Sequence, residues 1–330
     1  MSASGLPLDF GGIECGDAAA AQAWAAQLSR ADEVTRKLKP IDVHDFLALN
    51  IPPREMVLAP WLPTQGLAMI HAARGTGKTN LALAIAYAVA SGSELMGWRP
   101  LKARKVLYLD GEMLAAPMQE RLAGIVKTAT ATPEPRMLQI ITPDFQPGGM
   151  PDIATIGGQV SLNEAIPEGT ELIIVDSLSS LARGEGREND AESWLPIAQW
   201  TLGQRVLGRS ILFLHHSGKN GAQRGTSKRE DLLDSVLALR KPADGQHTPH
   251  ARFEIHVEKS RSLSALGPML VEMMPQPDGG STWAWKPLDE TNVERIRKMS
   301  EDGMSKREIA EELKIARSTV YRILARAGKQ

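Results

Sequence analysis

The chain has 330 residues, 42% of them hydrophobic, and a formal charge of -1. That length buries one substantial core with room for a small second module, and the near-neutral balance means that any nucleic-acid contact must come from a local patch. A single cysteine, Cys15, excludes an internal disulfide framework and a cysteine-based zinc site.

That cysteine usage fits a reducing, cytoplasmic setting. No stretch approaches ~20 consecutive apolar residues, and no basic segment followed by an apolar run opens the chain, so it is read as neither exported nor membrane-spanning. Residues 1–50 read as a helical appendage, with an alanine-rich helix from Asp17 to Leu38 stopped by Pro40. Pro52 and Pro53 mark a linker, and Trp61-Leu62-Pro63 leads into the first strand of a domain assigned to residues 51–280. There, short apolar runs alternate with helical segments, the pattern of a mainly parallel sheet flanked by helices. Strands are expected at Leu67–His71, Lys105–Asp110, Leu138–Thr142, Leu172–Asp176, Ser210–His215, Val236–Arg240, Phe253–Lys259 and Met269–Met273. The chain turns polar after Val257 and then toward a hairpin-like finish, which predicts a mixed sheet. Residues 281–290, with Trp283 to Leu288 at their centre, read as a linker to a domain at 291–330.

The first strand runs into A-A-R-G-T-G-K-T, residues 72–79. A phosphate-binding loop needs backbone N–H groups converging on the β- and γ-phosphates, a lysine for their charge and a hydroxyl for Mg²⁺ at a helix N-terminus. Ala73, Arg74, Gly75, Thr76, Gly77, Lys78 and Thr79 supply these, and an alanine- and leucine-rich helix follows as far as Gly92. The usual pattern asks for glycine at position 72, where this chain has Ala72. Hydrolysis further needs carboxylates for the metal and the attacking water, and a group that senses the γ-phosphate. Asp176, closing L-I-I-V-D, is the candidate Mg²⁺ partner beside Thr79, with a helix cap as its plainer role. Glu112 and Asp110, in Y-L-D-G-E, compete as the water-positioning carboxylate, and spacing alone does not separate them. His215 and His216 end the run I-L-F-L-H-H, and strand alternation turns at most one of them toward the nucleotide.

From Trp61 to about Met274 the chain resembles the RecA-fold ATPases, and most closely the plasmid RepA-type replicative helicases. The matching stretches are A-R-G-T-G-K-T, Y-L-D-G-E, V-D-S-L, F-L-H-H-S-G-K and R-G-T-S. That family also departs from glycine at the start of its loop. The resemblance implies a RecA-like core binding ATP and Mg²⁺, with Lys78 and Glu112 catalytic, Asp176 on the metal and His216 sensing the γ-phosphate. It also implies a homo-oligomer, a hexameric ring around single-stranded DNA that couples ATP hydrolysis to movement in a plasmid, phage or other mobile element.

Arg224 lies in a polar loop, ahead of a helix start marked by Ser227 and Glu230. As the corresponding family arginine is expected to do, it can act as a finger on a neighbour's nucleotide; DNA-phosphate contact and plain solvation compete. Lys259 and Arg261, in V-E-K-S-R, resemble the K-x-R pair that DnaB-type helicases direct at a subunit interface. Lys219 and Lys228 are candidate contacts to single-stranded DNA, on loops after Asp176 and His216 expected to line the channel.

Residues 291–330 read as a small all-α unit. Ser305 and Glu308 form a capping box; Ile309, Ala310, Leu313, Ile315, Val320, Ile323 and Leu324 supply its apolar face. It resembles the helix-turn-helix of resolvases and invertases, with duplex contacts expected from Arg317, Ser318, Thr319, Tyr321 and Arg322 at the start of the recognition helix. Ten Lys and Arg face six acidic residues here, a local charge of +4. A hairpin for protein docking is the competing reading. An ATP-regulated DNA-binding regulator or helicase loader is likewise the alternative to a helicase.

Overall fold

The computed structural model describes residues 39–183, 191–217, 231–242, 248–261, 267–313 and 315–327. The helix expected at Asp17–Leu38 therefore lies outside the described residues, as do Lys219, Arg224 and Lys228. The first described element is a short helix, α1 (Val43–Ala48), started by Asp42, whose side chain accepts from the His44 N–H at 2.8 Å. A two-stranded ribbon, β1 (Met56–Leu58) and β2 (Leu62–Pro63), packs Leu58, Trp61 and Leu62 into the core ahead of the main sheet.

Among the described residues that sheet has nine strands, β3 (Leu67–Ala72), β4 (Val106–Asp110), β5 (Leu138–Ile141), β6 (Leu172–Asp176), β7 (Ser210–His216), β8 (Ser235–Arg240), β9 (Arg252–Ser260), β10 (Met269–Pro275) and β11 (Ser281–Pro287). Their spatial order is β11-β10-β9-β8-β3-β7-β6-β4-β5. From β5 to β8 all pairs are parallel, whereas β8 through β11 pair antiparallel. The mixed sheet follows from chain length between strands: the described connections between parallel neighbours carry helices, but β10 and β11 are joined by the tight turn at Asp278-Gly279-Gly280.

Both faces are covered, which explains the continuous apolar runs. Along β6, Leu172 and Ile174 face a core built with α2 (Lys78–Ser91), while Ile173 and Val175 face a second core with α4 (Ile156–Ala165) and α6 (Ala191–Val206). The helix α2 is apolar on nearly every side and buries ten residues from Leu81 to Ala90, ending at Gly92 with φ 75°. On the same face α3 (Ala115–Thr128) follows β4, whereas a single turn, α5 (Leu178–Leu181), follows β6 and packs Leu178 and Leu181 into the second core.

The linker expected at 281–290 is not one. Residues 281–287 form β11, paired with β10 from Met269↔Pro287 to Pro275↔Ser281, and Trp283 lies 6.0 Å from Phe253 between ring centroids. Helix α7 (Leu288–Glu301) begins at the next residue, where the Leu288 N–H donates to Pro268 O at 2.8 Å. Two shorter helices, α8 (Lys306–Glu312) and α9 (Arg317–Ala327), complete a small core of Ile296, Ile309, Ala310 and Val320. Ser305 and Glu308 form the expected capping box. The unit thus has three helices among the described residues, with Ile296 of α7 closing its apolar face. Among the described residues no helix is long and apolar enough to cross a membrane.

Candidate active site

The strand β3 enters at the centre of the sheet and α2 leaves its C-terminal end, so residues 73–77 arch over the carboxyl ends of β3, β7 and β6, where open α/β sheets bind ligands. Gly77 needs to be glycine: its φ is +110°, and a Cβ there would meet Ala251 Cβ at 2.7 Å. Ala72 does not. It is the last residue of β3 and its φ is not positive, so the glycine of the usual pattern is not required at that position. The Thr76 hydroxyl staples the loop by donating to Ala73 O at 2.8 Å.

Lys78 begins α2 and turns back under the loop. Its ammonium donates to Ala72 O at 3.0 Å and Ala73 O at 3.1 Å, and its third proton points at His216 Nδ1, 3.1 Å away. Burial pushes this ammonium below its usual range, with Arg74 adding to the depression and Asp176 and Glu112 opposing it. Because the ammonium donates to His216 Nδ1, the ring's own proton belongs on Nε2. That atom lies 3.7 Å from Glu112 Oε1. Burial first, then the Lys78 charge, lowers the imidazole below its ordinary value, so His216 is a neutral donor aimed at the site.

The carboxylates divide their work. Asp176 ends β6 in the core, where burial raises its carboxyl, while hydrogen bonds from Tyr108 and Thr79 act to lower it. The Tyr108 hydroxyl donates to Asp176 Oδ2 at 2.6 Å. Asp110, in register with Asp176 on the neighbouring strand, accepts from the N–H groups of Glu112 and Met113 at 3.2 and 3.1 Å and from the Thr142 hydroxyl at 3.1 Å. It is thus committed to shaping the turn that carries Glu112. Glu112 is half exposed and accepts from the Ser177 hydroxyl at 2.6 Å. His215 is fully buried, and of the pair only His216 lines the cavity.

A polar cavity of about 610 Å³ is bounded by Arg74, Gly75, Lys78, Thr79, Asp176 and His216, together with Asp110 and Glu112. Asn80 and Arg121 line it as well. Neither stood out in the sequence; nor did Tyr108 and Ser177, whose partners lie 68 and 65 residues away in the chain. Asn80 had a signal, its place in the first turn of the helix beyond Thr79.

Lys259 and Arg261 are not in this site. The start of β9 lies beside the loop, since a Cβ on Gly77 would come within 3.2 Å of Phe253. At about 3.3 Å per residue, the other end of this nine-residue strand is roughly 25 Å away. There the Arg261 N–H donates to Asp234 O at 2.8 Å and its guanidinium donates to Asp231 O. The pair therefore lies toward the end of β9 away from this chain's own phosphate loop. In the C-terminal unit, Arg317, Ser318, Tyr321 and Arg322 are exposed along one side of α9, Thr319 is half-buried, and Lys306 Nζ sits 4.4 Å from the Tyr321 ring centre.

Fold and site together define a P-loop ATPase domain joined to a helix-turn-helix. Residues 31–222, more than half of the chain, match the family model described as the AAA domain, and the chain belongs to that family. Residues 286–326 match the model for the helix-turn-helix domain of resolvase. Among solved structures the chain is similar to a KaiC-like protein from the archaeon Pyrococcus horikoshii OT3, at 15% identity and a TM-score of 0.44, over 67% of this chain and 90% of that one.

Proposed function

We propose that the chain is an ATP-dependent DNA helicase of a plasmid, phage or other mobile element, working as a ring whose hydrolysis sites are completed by neighbouring subunits. One observation supports the reading: a full set of hydrolysis groups surrounds Lys78, while Lys259 and Arg261 lie toward the end of β9 away from this chain's phosphate loop, which leaves a neighbouring copy as their candidate target.

The cavity fits ATP with Mg²⁺, because backbone N–H groups, a buried ammonium and a hydroxyl–carboxylate pair converge on it. Bound there, the nucleotide brings the anhydride to be cleaved and the cation neutralises its phosphate oxygens. The residues 73–77 offer N–H groups to those oxygens, and Lys78 exchanges a carbonyl contact for a phosphate oxygen. Thr79 and Asp176 would hold the cation, with Tyr108 fixing the carboxylate. Glu112 takes the proton of the attacking water, and Ser177 keeps its carboxylate pointed at the cavity. His216 offers its Nε2 proton where charge develops on the γ-phosphate. Arg224, Lys259 and Arg261 are the candidate groups from a neighbour; the exposed row from Arg317 to Arg322 is the candidate duplex contact.

The test is strand separation on a forked duplex, with Lys78→Ala as the inactive control. Strong DNA-stimulated hydrolysis without unwinding would sink the helicase. A second reading, an ATP-regulated DNA-binding regulator or loader, draws support from α7, which continues β11 without a linker and so holds the helix-turn-helix close to the ATPase sheet. Removal of residues 291–330 separates the two: a helicase keeps DNA-stimulated hydrolysis, whereas a regulator loses specific DNA binding.

A further inference from the structure

The hydrolysis site leaves one hydrogen-bonded group beside it unexplained. His71, the residue before Ala72 in β3, is fully buried, yet both ring nitrogens are engaged: Nδ1 lies 2.9 Å from Ser217 Oγ and Nε2 2.7 Å from Glu258 Oε2. The ring reaches Glu258 across an intervening strand. His71 is paired with Ala238 of β8, and Ala238 with His256 of β9, so a methyl group is all that stands beneath the crossing. The pairing then jumps from Leu237↔Val257 to Val236↔Lys259, which leaves Glu258 as the extra residue of a β-bulge, a device that re-aims a side chain. Burial works to raise the Glu258 carboxyl, but His71 and Arg240 outweigh it and hold it below the usual range. An ionised Glu258 accepts the Nε2 proton, and in that tautomer Nδ1 is the acceptor for the Ser217 hydroxyl.

The two ends of this link sit at different places in the machinery. Ser217 follows His216 directly, and its N–H donates at 2.9 Å to Ala72 O, the carbonyl that also accepts from Lys78 at 3.0 Å. Glu258 directly precedes Lys259, on the strand whose far end faces away from this chain's loop. We propose that His71 is a positioning residue that ties the γ-phosphate-reading end of β7 to the strand bearing Lys259 and Arg261. The nucleotide state of one site thereby alters the placement of the pair offered to the next subunit. The inference rests on the ring reading above. A change of one hydrogen bond at Lys78 or His216 displaces Ser217, and the fully buried ring transmits that displacement because His71 itself has no water to fall back on if either bond is lost.

The experiment uses the full chain and begins with its mass in the presence of an ATP analogue and single-stranded DNA. A particle that stays monomeric overturns the ring reading itself, and with it this inference. Given a ring, His71→Gln keeps a donor toward Glu258 and gives up the Ser217 bond, while His71→Asn keeps the Ser217 side and gives up Glu258. Each is expected to lower kcat about tenfold, within the range usual for coupling between sites, with binding of a fluorescent ATP analogue within about twofold of the parent. Glu258→Ala, at a partly exposed position, is expected to reproduce both effects and keeps the inference testable if the histidine variants do not fold. Doping with Lys78→Ala subunits gives the readout that a packing role would not move. Activity of the parent ring should fall more steeply than the fraction of dead subunits, and that of the His71 and Glu258 variants in proportion to it. Proportional poisoning of the parent, kcat within about twofold of the parent in all three variants, or equal losses of binding and kcat would each overturn the relay.

Discussion

Replacing Tyr108 by phenylalanine removes one oxygen from a fully buried ring and leaves Asp176 with a single side-chain donor, Thr79. The lost bond is short, 2.6 Å, and its acceptor is the carboxylate proposed above as a metal partner. A hydrogen bond to a charged group contributes about 1.5–3 kcal/mol, so a loss near ~2 kcal/mol is expected at neutral pH. The pH dependence has a definite sign. Burial already raises the Asp176 carboxyl, and the Tyr108 bond is the first influence holding it down; Tyr108→Phe therefore raises it further. The difference in stability between the two proteins is full above the variant's pKa and shrinks, as pH falls below the parent's, to the smaller contribution of a hydrogen bond to a neutral Asp176. Urea unfolding at several pH values measures this, and a Mg²⁺ titration of hydrolysis should shift to higher concentration in the variant. A penalty under about 0.5 kcal/mol at neutral pH, or one that does not shrink on acidification, would refute the reasoning.

Glu112→Gln is expected to keep nucleotide binding and lower kcat by roughly 10² to 10⁴, as for loss of a general base; single-turnover hydrolysis checks it. The parent's kcat/KM should decline as pH falls from the ordinary histidine value through the depressed pKa of His216, because protonation there removes the acceptor for Lys78; in His216→Gln that limb should disappear from the profile. Gly77→Ala places a Cβ 2.7 Å from Ala251 in a left-handed conformation and should destabilise the fold by about 1–3 kcal/mol, read by urea unfolding, with binding of a fluorescent ATP analogue lost as well.

The parallel half of the sheet was legible because its strands are buried on both faces: Leu172–Asp176 and Ser210–His216 are apolar through most of their length. The strand Ser281–Pro287 was not, since an edge strand leaves four of its seven residues exposed and its alternation is short. Its turn, Pro277-Asp278-Gly279-Gly280, carried the missed signal. In the site, the motif residues were readable because phosphate chemistry fixes their spacing. Tyr108 and Ser177 were not, since each meets its partner only through the register that sets Asp110 opposite Asp176. The direction of β9 is likewise invisible locally, so sequence identifies Lys259 and Arg261 as a pair without placing them at the end of the strand away from the loop.

The direct passage from β11 into α7 has a mechanical consequence. Tension applied to the helical unit along β11 enters the ladder at Pro287↔Met269 and loads it lengthwise across seven residue pairs, so the bonds share the force and do not open one by one. With no slack segment at the junction, a displacement of the sheet end at Pro287 is passed directly to Leu288, the first residue of α7.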